Sequence, residues 1–169
     1  MALQNFLRHW TDRFLLRAGD PDAVRQAGAI PYTVVEGQVV FLIITSRRSG
    51  RWIFPKGALI EGMEPGEVAA HEALEEAGVE GEVQAQPVGS YRTIKTLALR
   101  RAVIEVDMYP LRVERQLDEW REQKSRHRHW VILPEAKRLL SDPRLAELAD
   151  RLSRRVLAEH QSAKVSINL

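Results

Sequence analysis

Apolar residues at Leu3, Phe6, Leu7, Trp10, Phe14 and Leu15 recur at helical spacing, which predicts an amphipathic helix over residues 1–20, closed by Gly19-Asp20-Pro21. The pattern then changes period. Ala27 to Val35 and Gln38 to Ser46 are rich in β-branched and apolar residues, and the short Glu36-Gly37 step between them reads as a hairpin. Trp52-Ile53-Phe54 is a short extended piece stopped by Pro55, and 57–63 is a Gly-punctuated loop or strand. Pro65 suits a first helical turn and Gly78 a C-terminal cap, so the spacing predicts a helix from Glu64 to Ala77. Strands follow at roughly Glu82 to Lys95 and Leu97 to Leu111, then a polar loop from Glu114 to Arg128 and a strand from His129 to Leu133. A short helix opens at Pro134, and a last helix starts at Asp142-Pro143 with Leu145, Leu148, Leu152 and Val156 on its apolar face. From Gln161 the chain is expected to fray, giving a helix at 1–20, one domain at 21–160 and a tail at 161–169. Strands interspersed with helices and joined mostly by hairpins predict an α+β fold, a mixed sheet between helices.

Composition narrows the chemistry. The 169 residues suit one compact domain, and a 44% apolar fraction supports a sizeable core. There is no cysteine, which excludes disulfides, thiolate metal sites and cysteine nucleophiles. No apolar run approaches the roughly 20 residues of a membrane span, and the start does not read as a secretory signal. A cytoplasmic protein without membrane partners is the expectation. The net charge of +2 says little, but its distribution says more. No Lys or Arg occurs from Gly57 to Glu82, whereas Arg47, Arg48, Arg51 and Lys56 precede that stretch and Arg92, Lys95, Arg100 and Arg101 follow it. An acidic centre between basic flanks suits a cation site beside anion-binding groups, or simply a solvated acidic helix.

Within that stretch, Glu72, Glu75 and Glu76 take neighbouring positions on one helix face. Like charges there repel by a few tenths of a kcal/mol per pair, about as ion pairs at that spacing attract. A hard divalent cation held by oxygen ligands relieves the repulsion. An exposed acidic helix with no ion satisfies the triplet equally well.

The wider segment decides between them. Gly57 to Val79 resembles the Nudix box: Gly, five residues, Glu, seven residues, Arg-Glu, an apolar residue, any residue, Glu-Glu, any residue, Gly and an apolar residue. The chain matches without a gap at Gly57, Glu72, Ala73, Glu75, Glu76, Gly78 and Val79, and departs at Met63 and His71, where the family has Glu and Arg. Trp52-Ile-Phe-Pro-Lys-Gly57, with the later Glu119, Trp120, Glu122, Arg126 and Trp130, is similar to the diphosphoinositol polyphosphate and diadenosine polyphosphate hydrolase subgroup. The resemblance covers about 27–140. It implies the Nudix fold and hydrolysis of a phosphoanhydride bond in a nucleoside or inositol polyphosphate-type substrate.

The resemblance further implies Mg2+, or Mn2+, held by Glu72 and Glu76, with Glu75 as third ligand or aid to water activation and the Gly57 carbonyl as an added oxygen. Glu119 or Glu122 would stand where several family members carry a general base. In the family the box Arg is salt-bridged to box glutamates, so Met63 and His71 bear on the shell that aims the ligands. Glu61 or Glu64 could replace Met63, and His71 is a stand-in for Arg or a further ligand. Arg48, Arg51 and Lys56 are candidate phosphate clamps, each with a solvated alternative. Trp120 is a stacking platform or a loop anchor. Because the shell is altered, a non-catalytic phosphate-ligand sensor is the alternative. Nucleic acid is not an expected partner, since the basic run Arg121 to Arg128 is short, and a homodimer is left open.

Overall fold

The computed structural model describes residues 23–97 and 100–167; the helix predicted over 1–20 lies outside them. The strands are β1 (Val24–Val35), β2 (Gln38–Thr45), β3 (Trp52–Ile53), β4 (Lys56–Ala58), β5 (Val79–Val83), β6 (Gly89–Leu97), β7 (Arg100–Gln116) and β8 (Arg128–Ile132). Helix α1 starts at Pro65 and runs through Glu72 into a widened turn, Ala73–Ala77; α2 (Leu133–Leu139) and α3 (Pro143–Ile167) close the chain. All eight strands form one mixed sheet. Its centre is the parallel pair β1 and β7, and every other pairing is antiparallel.

Alternation along the central strands sorts side chains to two faces. Ala27, Ala29, Leu42, Ile44, Tyr109 and Leu111 pack with Val68, Ala69, Ala73 and Ala77 of the first helix. Ile30, Phe41, Ile43, Val106 and Met108 pack with Leu145, Leu148, Leu152 and Val156 of α3. This is the predicted sheet between helices. The β1–β2 link is the expected hairpin: Val35 pairs with Gln38, and Glu36 and Gly37 both have positive φ, 50° and 79°.

Three boundaries differ from the pattern. The strand predicted from Glu82 to Lys95 is two strands, β5 beginning at Val79 and β6 at Gly89. Between them the chain steps out of the sheet and back, its amides at Gln84 and Val88 bonding to the carbonyls of Pro110 and Met108. Proline at 87 has no amide to pair and suits the detour. Strand β7 runs to Gln116, because its second half gains β5 as a partner. Helix α3 continues to Ile167, past the fraying point predicted at Gln161. Among the described residues, no helix is long and apolar enough to cross a membrane.

The β5–β7 pairing carries a register shift between Glu80 and Gly81, and a Cβ on Gly81 would overlap the Arg112 carbonyl. Backbone cannot yield there as a side-chain tip would. Gly81→Ala is therefore expected to destabilise the protein by about 2 kcal/mol, read as a lower denaturant midpoint at unchanged m-value.

Candidate functional site

Helix α1 lies on alanines. Ala69, Ala73 and Ala77 are fully buried against Ala27 and Ala29, so little side-chain bulk separates helix from strand. Pro65 occupies the first turn, and the Glu67 carboxylate accepts the Glu64 amide at 2.9 Å. Gly78 ends the helix in the left-handed region at φ 65°. Its last turn has π-type spacing, a widening frequent at functional sites.

The glutamates diverge from that turn. Glu72 lies directly against Gly57: a Cβ there would overlap the Glu72 carboxylate. Glu76 is buried, 7% exposed, and accepts the Lys56 amide at 3.1 Å. Two carboxylates thus meet two successive residues of the β3–β4 segment. Glu75 turns aside to Arg121, with His71 Nε2 3.6 Å away. Glu72 stays within electrostatic reach of both, since Glu75 helps raise the Glu72 carboxyl and Glu72 that of Glu76.

The loop between β7 and β8 completes the site. Arg126, 7% exposed, donates through one guanidinium to Glu76, to Glu122 and to the Thr45 carbonyl, the last at 2.9 Å. Arg47 lies 3.4 Å from the other Glu122 oxygen. Burial pushes the Glu76 carboxyl up to about 7, with Arg126 and the Lys56 amide pulling the other way and Glu72 and Glu122 adding to the rise. Burial is also the main cause of the raised Glu72 carboxyl.

Of the residues singled out from sequence, Glu72, Glu75, Glu76, Gly57 and Glu122 are brought together. Glu119 is exposed, so of the two loop glutamates Glu122 enters the site. Arg48 and Arg51 are exposed on the β2–β3 turn, which borders the site through Arg47. Lys56 contributes its backbone amide to Glu76. Its side chain leaves on the other face of β4, where Nζ donates to Gln26 at 3.2 Å. Trp120 is an anchor: its indole donates to the Glu76 carbonyl at 3.2 Å, and Arg128 stacks on its ring. Met63 packs against the core on the α1 side of the sheet, which accommodates the loss of a carboxylate there. Sequence reasoning missed the role of Arg126. The available signal was the lack of any Lys or Arg from Gly57 to Glu82, which requires counter-charge from another element.

The side chains gathered here are carboxylates, oxygen donors of the kind a hard divalent cation takes. Among the described residues, no three acidic or histidine side chains converge tightly enough to cage an ion as they stand. Glu75 faces the Arg121 guanidinium and must turn towards Glu72 and Gly57 to join a cation, whereas Glu76 keeps one oxygen on Arg126 and presents the other at Lys56, beside Gly57. The residues fit the ion in kind and place, with side-chain rotation.

No family model matches the chain. Individual relatives do. Nudix hydrolase 17, mitochondrial, of Arabidopsis thaliana is 34% identical over 138 residues, spanning 76% of this chain and 73% of the relative. Diphosphoinositol polyphosphate phosphohydrolase 3-beta of Bos taurus is 30% identical over 127 residues, spanning 73% and 74%. Among solved structures, a C. elegans Ap4A hydrolase binary complex aligns with a TM-score of 0.61 at 18% identity, covering 80% of this chain and 99% of that one. The NUDIX domain of Shewanella oneidensis NrtR, complexed with ADP ribose, gives 0.61 at 15% identity and covers 86% and 98%. At such identities the structures speak to fold alone. The plant relative matches across most of both chains, and the chain belongs to the Nudix hydrolases, a family of enzymes acting on phosphorus-containing anhydrides.

Proposed function

We propose that the protein hydrolyses a phosphoanhydride bond of a polyphosphorylated small molecule, a nucleoside or inositol polyphosphate, with Mg2+ or Mn2+ at the glutamate helix. The observation that carries this reading is the seating of Glu72 and Glu76 against the successive residues Gly57 and Lys56. Two carboxylates seated on half-buried peptide backbone form a corner that a solvated acidic helix has no reason to build. When bound, the cation supplies neutralisation of phosphate charge and a lowered pKa for water.

The chain's own residues supply the rest. Glu72 and Glu76 would hold the ion, with Glu75 as a third ligand or an aid to water activation. Glu122, fixed between Arg47 and Arg126, accepts the proton of the attacking water. Water oxygen bonds to phosphorus, the anhydride P–O bond breaks, and the departing phosphate keeps the electron pair. Arg48 and Arg51, exposed on the adjoining turn, bind phosphate oxygens, for which the arginine fork suits bidentate contact. The relative named for diphosphoinositol polyphosphate supports surveying such substrates first.

The test is phosphate or nucleotide release from a panel of dinucleoside polyphosphates, diphosphoinositol polyphosphates and nucleoside diphosphate derivatives with Mg2+ or Mn2+. At least one should turn over, and chelation should abolish the activity; inert protein that binds Mn2+ would favour a phosphate-ligand sensor instead. Glu76→Gln is expected to lower kcat about 1,000-fold, equivalent to about 4 kcal/mol of barrier, with an unchanged circular dichroism spectrum. Gly57→Ala meets only the mobile end of Glu72, so thermal stability should move by no more than about 1 kcal/mol. Its turnover should nevertheless fall about 100-fold, because the displaced carboxylate leaves the corner; wild-type turnover would show that Glu72 does not act from this position.

A further inference from the structure

From Gly57 to Glu82 the chain carries no Lys or Arg, so no cation on the helix can restrain its own carboxylates. His71 does not substitute: its Nε2 lies 3.6 Å from Glu75, its side chain is 41% exposed, and its buried Nδ1 has no hydrogen-bond partner. The restraint on Glu76 comes from a distant part of the sequence. One planar guanidinium, 7% exposed, reaches three chain segments: Nη2 to Glu76 on the helix, Nε to Glu122 on the loop, and Nη1 to the Thr45 carbonyl at the end of β2, 2.9 Å away.

We infer that Arg126 is a positioning residue: it sets the directions of Glu76 and Glu122 relative to each other, supplying from the β7–β8 loop the arginine–glutamate restraint that the helix lacks at His71. This rests on the hydrolase reading above, in which Arg126 only flanks Glu122, and adds its hold on Glu76. The fork geometry is what matters. Nε and the two Nη atoms are rigidly coplanar, so one anchor at Thr45 fixes the angle at which the other two nitrogens meet their carboxylates. A lysine at 126 keeps the charge and loses the angle. The anchor accounts for the burial as well. An arginine meant only to neutralise charge could stay in solvent, as Arg121 does at 72% side-chain exposure beside Glu75.

The experiment compares wild type with Arg126→Lys in the full-length chain. The EPR line shape of protein-bound Mn2+ is read without substrate, then kcat and KM on the fastest substrate of the panel. The expected result is a changed Mn2+ line shape with kcat lowered about 10- to 100-fold and KM within threefold. A folded Arg126→Lys protein with wild-type line shape and kcat overturns the inference. So does a loss carried entirely by KM, which would make Arg126 a substrate contact. Should the variant not fold, the 15N resonance of the Arg126 Nε–H is followed in wild type on addition of Mg2+. It should shift; a resonance unmoved at saturating Mg2+ overturns the inference. If wild type turns over nothing on the panel, the hydrolase reading fails while the two spectroscopic readouts still decide the role of Arg126.

Discussion

The closeness of α1 to the sheet is the constraint on which the site depends. Ala69, Ala73 and Ala77 meet Ala27 and Ala29 with no exposure to solvent. Larger residues at any of these positions would lift the helix away, since packed cores accept little added volume. At this distance a glutamate, whose carboxylate oxygens lie three bonds beyond Cβ, reaches the backbone at 56–57. Gly57 continues the same rule, an absent side chain making room for a carboxylate. The bulk missing at the interface is recovered on the opposite face, where Ile30, Phe41, Ile43 and Met108 meet α3. The two faces of the sheet therefore divide the work: one is dense and apolar, the other thin and shaped for chemistry.

Thin packing leaves charge in a poorly solvated place. Glu122 helps raise both the Glu72 and the Glu76 carboxyls, Glu72 adds to the rise at Glu76, and the buried guanidinium among them is that of Arg126. Burying charge in this way is weak evidence for stability, because the desolvation of ions commonly offsets their attraction. It is better understood as carboxylates gathered at one corner around a single buried guanidinium. A cation entering that corner relieves repulsion between existing groups as well as gaining ligands.

Much of this architecture was legible beforehand, where single residues carry strong local consequences. Pro65 and Gly78 bracketed α1, and Glu36-Gly37 marked a two-residue turn. The Gly57-to-Val79 spacing marked four of the candidate site's residues, Gly57, Glu72, Glu75 and Glu76. What escaped sequence reading had no local mark. The detour at Gln84 to Val88 interrupts a run that alternates much like the strands on either side. The widened turn at Ala73–Ala77 changes a hydrogen-bond step and nothing in composition. Arg126 lies in a run of charged residues that resembles solvated loop, and its partners are 81 and 50 residues distant in sequence. Lys56 was the reverse case. Its adjacency to Gly57 suggested a side chain at the phosphates, yet strand alternation turns that side chain to the other face.

The end of α1 has a further consequence. A helix normally leaves its last carbonyls for water, yet here Glu122 N takes that of Glu75, Trp120 Nε1 that of Glu76, and Arg128 that of Ala77, while Leu117 N takes Gly78's. All four donors belong to residues 117–128, so the loop is in effect the terminal cap of the glutamate helix. A loop bound in this way cannot change length without stripping hydrogen bonds from the glutamate helix, so it is a poor place for lineage-to-lineage variation. The β2–β3 turn has no such duty, and insertions there could reshape ligand preference while leaving the helix terminus intact.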